Sequence, residues 1–318
     1  MCGRRTLGID IGGTSVKLGF LDSEKGLTEI EQFNVVTGDP EWMVEQLVAA
    51  TRRKGAELVG IGTAGQVNHK TGLVTAANLN WKDVPLRAML EDRLGQVVWV
   101  DNDAQAALTA EWYSGECRGA QTAAYLTLGT GIGGALLVNG SPWRGNDNTS
   151  FELGHIVTHA DGELCACSKR GCFERYASAG ALSRMAGGRA AREIIDAVLA
   201  GDRETLMVFD AYLHELAIGL NTIITLFKPE VIALGGGVSV IGNTLLDRLR
   251  HEVNRQLADR AVLFTGSIVL SKHQNYAGMI GAAVLAKLHI RNLVGKSKDV
   301  SSTFVCLDSD EFNNNIRC

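Results

Sequence analysis

The chain has 318 residues, of which 46% are hydrophobic, 21% charged and 6% aromatic, with a formal net charge of -4. That apolar share excludes general disorder, and four prolines are too few for a collagen-like chain despite 37 glycines in 318 residues, well above a usual share of roughly 7%. No run of five like charges suggests a nucleic-acid-binding or acidic tail, and no apolar run reaches the roughly 18 residues of a membrane span. Met1 to Thr6 is too short and polar for a signal peptide, so a reducing cytoplasm is the expected compartment. The seven cysteines are odd in number and mostly scattered, which argues against a disulfide framework. The length suggests two domains or one large one.

The first segment, Leu7 to Phe20, reads LGIDIGGTSVKLGF. Two apolar runs flank Gly12, Gly13 and Thr14, which predicts a β-hairpin with a glycine turn. A helix is expected at about Trp42 to Lys54, a strand at Leu58 to Gly62, and a turn region from Asn68 to Asn80. Next come a helix at Leu86 to Leu94, a strand at Val97 to Asp101 and a helix at Ala104 to Tyr113. At Tyr125 to Val138 the hairpin pattern recurs as YLTLGTGIGGALLV. We read the two segments as the openings of two related α/β domains. An irregular stretch, Gly140 to Arg175, holds three of the cysteines. Helices are expected at Ala190 to Leu199, Thr205 to Phe227 and Leu245 to Leu257, with a strand at Val231 to Leu234 running into Gly235-Gly236-Gly237. The last periodic helix is Ala277 to Leu288, and residues 291–318 read as a polar, poorly ordered tail. The expected organisation is a smaller domain over residues 1–116, a larger one over 117–290, and that tail.

Three features carry chemistry. Glycine turns let backbone N–H groups approach phosphate, Thr14 and Thr130 add hydroxyls, and Asp10 could hold Mg²⁺ through water. A single such turn often does no more than reverse the chain; two of them plus the triple glycine point to a nucleotide. No Walker pattern is present. Asp101-Asn102-Asp103 lies at a strand end, where a carboxylate can accept a proton from a hydroxyl nucleophile or cap the next helix. His155, Cys165, Cys167 and Cys172 supply one imidazole and three thiolates, a complete tetrahedral zinc set of the closed, structural kind. His159 competes with His155 as the fourth ligand.

The run Glu152-Leu153-Gly154-His155, followed by Cys165-x-Cys167-x4-Cys172-x-Glu174, resembles the signature of the ROK family, which groups sugar kinases with repressors. DIGGT at Asp10 to Thr14, GTGIGGA at Gly129 to Ala135 and Asn102-Asp103-Ala104 match further family motifs in the same order, over about residues 6 to 288. The chain departs from the pattern at Ala64, Asn148, Phe151 and Ser168, where a proline and three glycines are usual.

The resemblance implies a two-domain ribonuclease H-like (actin-like ATPase) fold with a cleft between domains, in which the Ala277–Leu288 helix crosses back to pack on the N-terminal domain. It implies an ATP-dependent hexose kinase acting on the 6-hydroxyl, with glucose the favoured sugar and N-acetylmannosamine or fructose the alternatives. Asp103 becomes the general base. Asn102 is expected near O4 of the sugar, Glu152, His155 and Glu174 near C1 to C3, with Gly65 and Asn78 contributing from the small domain. Asp10, Gly12, Gly13, Thr14, Lys17, Thr130 and Gly131 are expected to hold ATP phosphates and Mg²⁺, and Gly235, Gly236 and Gly237 the adenosine side. His155 is expected to bind Zn²⁺ through one ring nitrogen and face the sugar with the other. A homodimer without nucleic-acid or membrane partners is expected. A sugar-binding repressor is the reading of another class. Only six residues precede Leu7, which leaves no room for a helix-turn-helix.

Overall fold

The computed structural model describes residues 4–22, 25–146, 149, 151–258 and 264–294. The chain divides into two compact units. The described residues of unit 1 fall within Met1–Arg118, Gly140–Ser150 and Tyr276–Cys318, and those of unit 2 within Gly119–Asn139 and Phe151–Asn275. Both segment 140–150 and the last helix cluster with unit 1.

Unit 1 begins with β1 (Thr6–Ile11), β2 (Ser15–Asp22) and β3 (Gly26–Asn34), an antiparallel meander. Helix α1 (Pro40–Lys54) starts where the Asp39 side chain accepts the Trp42 N–H, and it stops at Gly55 in the left-handed region. Strand β4 (Leu58–Thr63) then pairs parallel with β1. A second small sheet brackets the expected turn region of 68–80, with β5 (Gln66–Val67) before it, β6 (Val74–Ala76) inside it and β7 (Trp81–Val84) after it. Its strands are too short and too interrupted by Asn and Gly for alternation to register. Helix α2 (Leu86–Leu94), strand β8 (Val98–Asn102) and helix α3 (Asp103–Ser114) follow. The main sheet has the order β3-β2-β1-β4-β8. Leu7, Ile9, Ile11, Val59, Ile61, Val98 and Val100 alternate onto one face and bury against Met43, Val44 and Leu47 of α1 and Leu86 and Leu90 of α2.

Unit 2 repeats that logic. Strands β9 (Ala123–Leu128) and β10 (Ile132–Val138) form an antiparallel hairpin, and a two-residue strand, β11 (Ser141–Pro142), comes next in the chain. Helices α4 (Glu174–Ala177), α5 (Ala179–Met185), α6 (Ala191–Leu199) and α7 (Arg203–Phe227) precede β12 (Val231–Gly235), which pairs parallel with β9. Helix α8 (Asn243–Ala258) and β13 (Ser267–Leu270) complete it, β13 lying parallel to β12. The order β10-β9-β12-β13 matches β2-β1-β4-β8 strand for strand in direction. Its core gathers Leu126, Leu128, Ile132 and Leu136 of the sheet around Phe209, Tyr212, Leu213 and Leu216 of α7.

Helix α9 (Ala277–Val294) belongs to unit 1 and packs on α3, β1 and β4. It lies against the sheet face that β1 and β4 leave bare at Gly8 and Gly60. A Cβ on Gly60 would stand 1.9 Å from the Ala282 carbonyl oxygen, and one on Gly8 2.0 Å from that of Met279. The helix outlasts the expected end at Leu288. Ile290, Leu293 and Val294 continue the helical spacing of apolar residues, so residues 291–294 are helix and not tail. The rest of the expected tail, and Asn148, lie outside the described residues.

Candidate active site

Two three-residue turns sit at matching places in the two units. In unit 1, Gly12-Gly13-Thr14 joins β1 to β2, with the Gly12 N–H donating to the Ser15 carbonyl at 3.0 Å. In unit 2, Gly129-Thr130-Gly131 joins β9 to β10, with the Gly129 N–H donating to the Gly131 carbonyl at 3.1 Å. Thr14 and Thr130 are both exposed at the tips. Asp10 ends one face of β1 and pairs across the hairpin with Lys17. A Cβ on Gly278, at the start of α9, would come within 2.7 Å of its carboxyl carbon. Burial there pushes the Asp10 carboxyl up to about 6, against the pull of the Lys17 ammonium.

The remaining unit 1 residues gather around the β8–α3 turn and the small sheet. The Asn78 amide lies where a Cβ on Gly13 would meet it at 2.9 Å, so the first turn and Asn78 touch. Asn102 is buried and largely committed: its side-chain oxygen accepts the Gln105 N–H at 3.1 Å, capping α3, and its NH₂ donates to the Gly65 carbonyl at 3.0 Å. One N–H of that amide remains for a ligand. Asp103 opens α3, and its Oδ1 accepts the Ala104 N–H at 2.8 Å.

In unit 2, the ring of His155 stands between two acids. Its Nε2 lies 3.9 Å from Glu152 Oε2, and its Nδ1 lies 3.7 Å from Glu174 Oε1. Glu174 reaches both ways: Oε1 is 3.0 Å from Cys165 Sγ, and Oε2 occupies the space a Cβ on Gly131 would take, at 2.6 Å. So the second glycine turn, Glu174 and the cysteine loop form one contiguous patch. Phe173 anchors that loop, fully buried against Gly219 of α7.

His155, Cys165, Cys167 and Cys172 place one ligand atom each within 4.8 Å of one another. Two edges of this group are Cys165 Sγ to His155 Nδ1, 3.7 Å, and Cys167 Sγ to Cys172 Sγ, 3.5 Å. A tetrahedron with ligands at about 2.0–2.3 Å has edges of about 3.5–3.8 Å, so the four residues fit a zinc-sized ion. Burial and the Glu174 carboxylate push the Cys165 thiol up to about 12, the reverse of what a bound cation does to a thiol. His159, the competing ligand, lies elsewhere: its ring stacks on Tyr176 at 4.0 Å and its Nε2 faces Glu215 at 3.5 Å.

The ROK family model matches residues 6–289. The chain belongs to the ROK family. It is 34% identical to the glucokinase of Streptomyces coelicolor over 310 residues, covering 89% of this chain and 97% of that one. It is 29% identical to the N-acetyl-D-glucosamine kinase of Aliivibrio salmonicida, covering 87% and 98%. Among solved structures, a ROK family glucokinase from Streptomyces griseus in complex with glucose and AMPPNP superposes with a TM-score of 0.81 at 32% identity, covering 89% of this chain and 99% of that one. The fold is the expected α/β arrangement of the actin-like ATPases, with two open mixed sheets.

Within this ROK chain the expected residues fall into two groups. Asp10, Gly12, Gly13, Thr14, Lys17, Gly65, Asn78, Asn102 and Asp103 belong to unit 1; Thr130, Gly131, Glu152, His155, Glu174 and the three cysteines belong to unit 2. The triple glycine is divided in its reasons. A Cβ on Gly235 would strike the Tyr125 hydroxyl at 2.0 Å and one on Gly236 the Leu128 backbone at 2.7 Å, whereas Gly237 faces open space. Packing alone thus requires the first two, and only Gly237 offers bare backbone outward. Arg144, which grips both carboxylate oxygens of Asp101, went unremarked in the sequence because a single arginine in a turn-rich loop has no periodicity to reveal it.

Proposed function

We propose that this chain is an ATP-dependent hexose kinase that transfers the γ-phosphate of ATP to the 6-hydroxyl of glucose. The reading is supported by the presence in one chain, itself 34% identical to a glucokinase, of the Asp103 carboxylate at the head of α3 in unit 1 and of the Glu152–His155–Glu174 group beside a zinc-type cluster in unit 2.

Asp103 takes the proton from O6 as that oxygen attacks the γ-phosphorus in line. The P–O bond to ADP breaks, and sugar 6-phosphate and ADP leave. The protein supplies position and charge more than covalent chemistry. The Gly12–Thr14 and Gly129–Gly131 turns offer backbone N–H groups and threonine hydroxyls to the phosphates. Mg²⁺, held through Asp10, would neutralise charge on the phosphoryl group. Glu152, His155 and Glu174 accept and donate to the sugar hydroxyls, because a buried polyol needs each hydroxyl matched. Asn102 has one N–H to give, and Gly65 and Asn78 complete the unit 1 side. Zn²⁺ on His155, Cys165, Cys167 and Cys172 would be structural: it fixes which ring nitrogen of His155 faces outward, leaving Nε2 beside Glu152. A cytoplasmic homodimer remains the expectation that the family resemblance supports.

N-acetylated hexoses are the second reading, favoured by the relatives at 29% identity. A coupled assay of ADP release over glucose, N-acetylglucosamine, N-acetylmannosamine and fructose decides between them. Asp103→Asn should lower kcat by about 10²- to 10⁴-fold with intact fold. Undiminished turnover in that variant would remove Asp103 from its role.

A further inference from the structure

Of the run Asp101-Asn102-Asp103, the mechanism above leaves Asp101 without a task. It is also the most buried of the three, with 2% of its surface exposed. Trp99 and Asp101 share the face of β8 opposite Val98 and Val100. Both carboxylate oxygens are occupied: Arg144 Nη1 donates to Oδ1 and Nη2 to Oδ2, each at 2.6 Å. Oδ1 also accepts the Asn102 backbone N–H at 2.9 Å. The Arg144 side chain is itself mostly buried, 16% exposed against 3% for Asp101.

Stability does not account for such a pair. Two buried charges lose their hydration, and an apolar pair of similar volume serves stability as well or better. What the pair does supply is direction. A planar guanidinium bonded through two nitrogens fixes the carboxylate in plane and in rotation, which a lysine cannot do. From that fixed carboxylate the bonds run on without a gap. Asp101 holds the Asn102 N–H, Asn102 holds the Gln105 N–H and the Gly65 carbonyl, and Asp103 is the next residue, opening α3. The flank of the pair is filled by His69, set edge-on to Trp99 with ring centroids 4.3 Å apart, while Arg87 bonds the carbonyls of His69 and Lys70. Burial and the nearby Arg144 charge push His69 down to about 4, so it is neutral and leaves Arg144 as the cation facing Asp101.

We infer that Arg144 is a positioning residue of the phosphoryl transfer. Its two-pronged grip on Asp101 holds the β8–α3 turn in the one orientation that presents the Asp103 carboxylate to the sugar hydroxyl. The inference rests on the kinase reading for its catalytic meaning, and on the bond network alone for its structural part.

The test uses full-length Arg144→Met, Arg144→Lys and Arg144→Ala. In Arg144→Met, kcat should fall about 10- to 100-fold, the scale of a misplaced reacting group, with nucleotide affinity within twofold of the parent. Arg144→Lys should recover little of the loss, and added guanidinium ion should restore turnover to an Arg144→Ala protein. Hydrogen exchange gives a readout free of activity: peptides spanning residues 101–106 should lose protection while those of β1 and β2 keep theirs. Unchanged protection at 101–106, or kcat within twofold of the parent, overturns the inference. So does a uniform loss of nucleotide affinity, turnover and exchange protection across unit 1, which would mark a merely structural pair. If the parent phosphorylates no sugar yet the exchange change appears, the kinase reading fails while the grip on the turn stands.

Discussion

Two residues of this chain set chemistry against stability. Asp10 is held at about 6 by burial, above its ordinary value, so the charged form is the disfavoured one. Between the unfolded carboxylate value and about 6 the folded chain binds more protons than the unfolded one, and stability falls as pH rises through that window. Asp10→Asn should therefore raise the thermal midpoint at pH 7 while abolishing Mg²⁺-dependent turnover. In the parent, Mg²⁺ affinity should climb with pH up to about 6 and then level, as titration calorimetry would read. A flat profile would place the cation on other groups. Ser168 is the second case. It stands where the family usually has glycine, between the second and third cysteines, and its φ of 70° lies in the left-handed region that a side chain resists. Ser168→Gly should stabilise the loop by about 1 kcal/mol, measurable as a raised unfolding midpoint with unchanged sugar KM. Phe151, the third departure, replaces a glycine with a ring set edge-on to Phe227 at 5.5 Å, so it gains packing where a glycine has none.

At the level of elements, what was legible follows from period. Helices α1, α2, α3, α6, α7 and α8 lie within two residues of the ends expected from apolar spacing, and both glycine hairpins stand where their flanking strands put them. Strand β3 was not legible: as an edge strand it buries little, and its register shift near Leu18 to Phe20 breaks the alternation a period-2 reading needs. The β5–β6–β7 sheet was missed for a related reason, since two- to four-residue strands give no period at all. The residues that seat α9 were not legible from period either. Gly8 and Gly60 read as ordinary strand glycines until the Met279 and Ala282 carbonyls are seen lying on them. Gly60→Ala forces a methyl group onto backbone that no rotamer change can clear. It should cost about 3 kcal/mol, read as a lower denaturant midpoint. A variant of parental stability would show that α9 yields more readily than a packed helix does.

At the scale of the molecule, the two units share one strand order and direction yet carry different groups: the Asp103 carboxylate and its hydrogen-bonded neighbours in unit 1, and the Glu152–His155–Glu174 group beside the cysteine cluster in unit 2. The cysteine cluster is tied into unit 2 at two places: Phe173 packs it against α7, and Glu174 joins it to the Gly131 turn. Stripping zinc with a chelator should release one ion per chain and raise the KM for sugar more than the KM for ATP, and readdition of zinc should reverse both. His155→Ala should reproduce the loss without a chelator. Full activity and unchanged sugar KM in a zinc-free protein would break the link between the metal and the sugar group.

The amino-acid order alone determined the cysteine cluster with its two candidate histidines, the two glycine turns, the Asn102-Asp103 pair and the α/β class, because each is written in residue types at short, fixed spacings. Local chemistry of that kind survives without knowing what packs on what. The tertiary structure decided between His155 and His159, gave Gly235 and Gly236 their packing reasons, committed most of Asn102 to its own backbone, and paired Asp101 with Arg144 across 43 positions. Each of these depends on contacts between segments far apart in the chain. No period or motif encodes such a contact; it exists only once burial has chosen which faces meet.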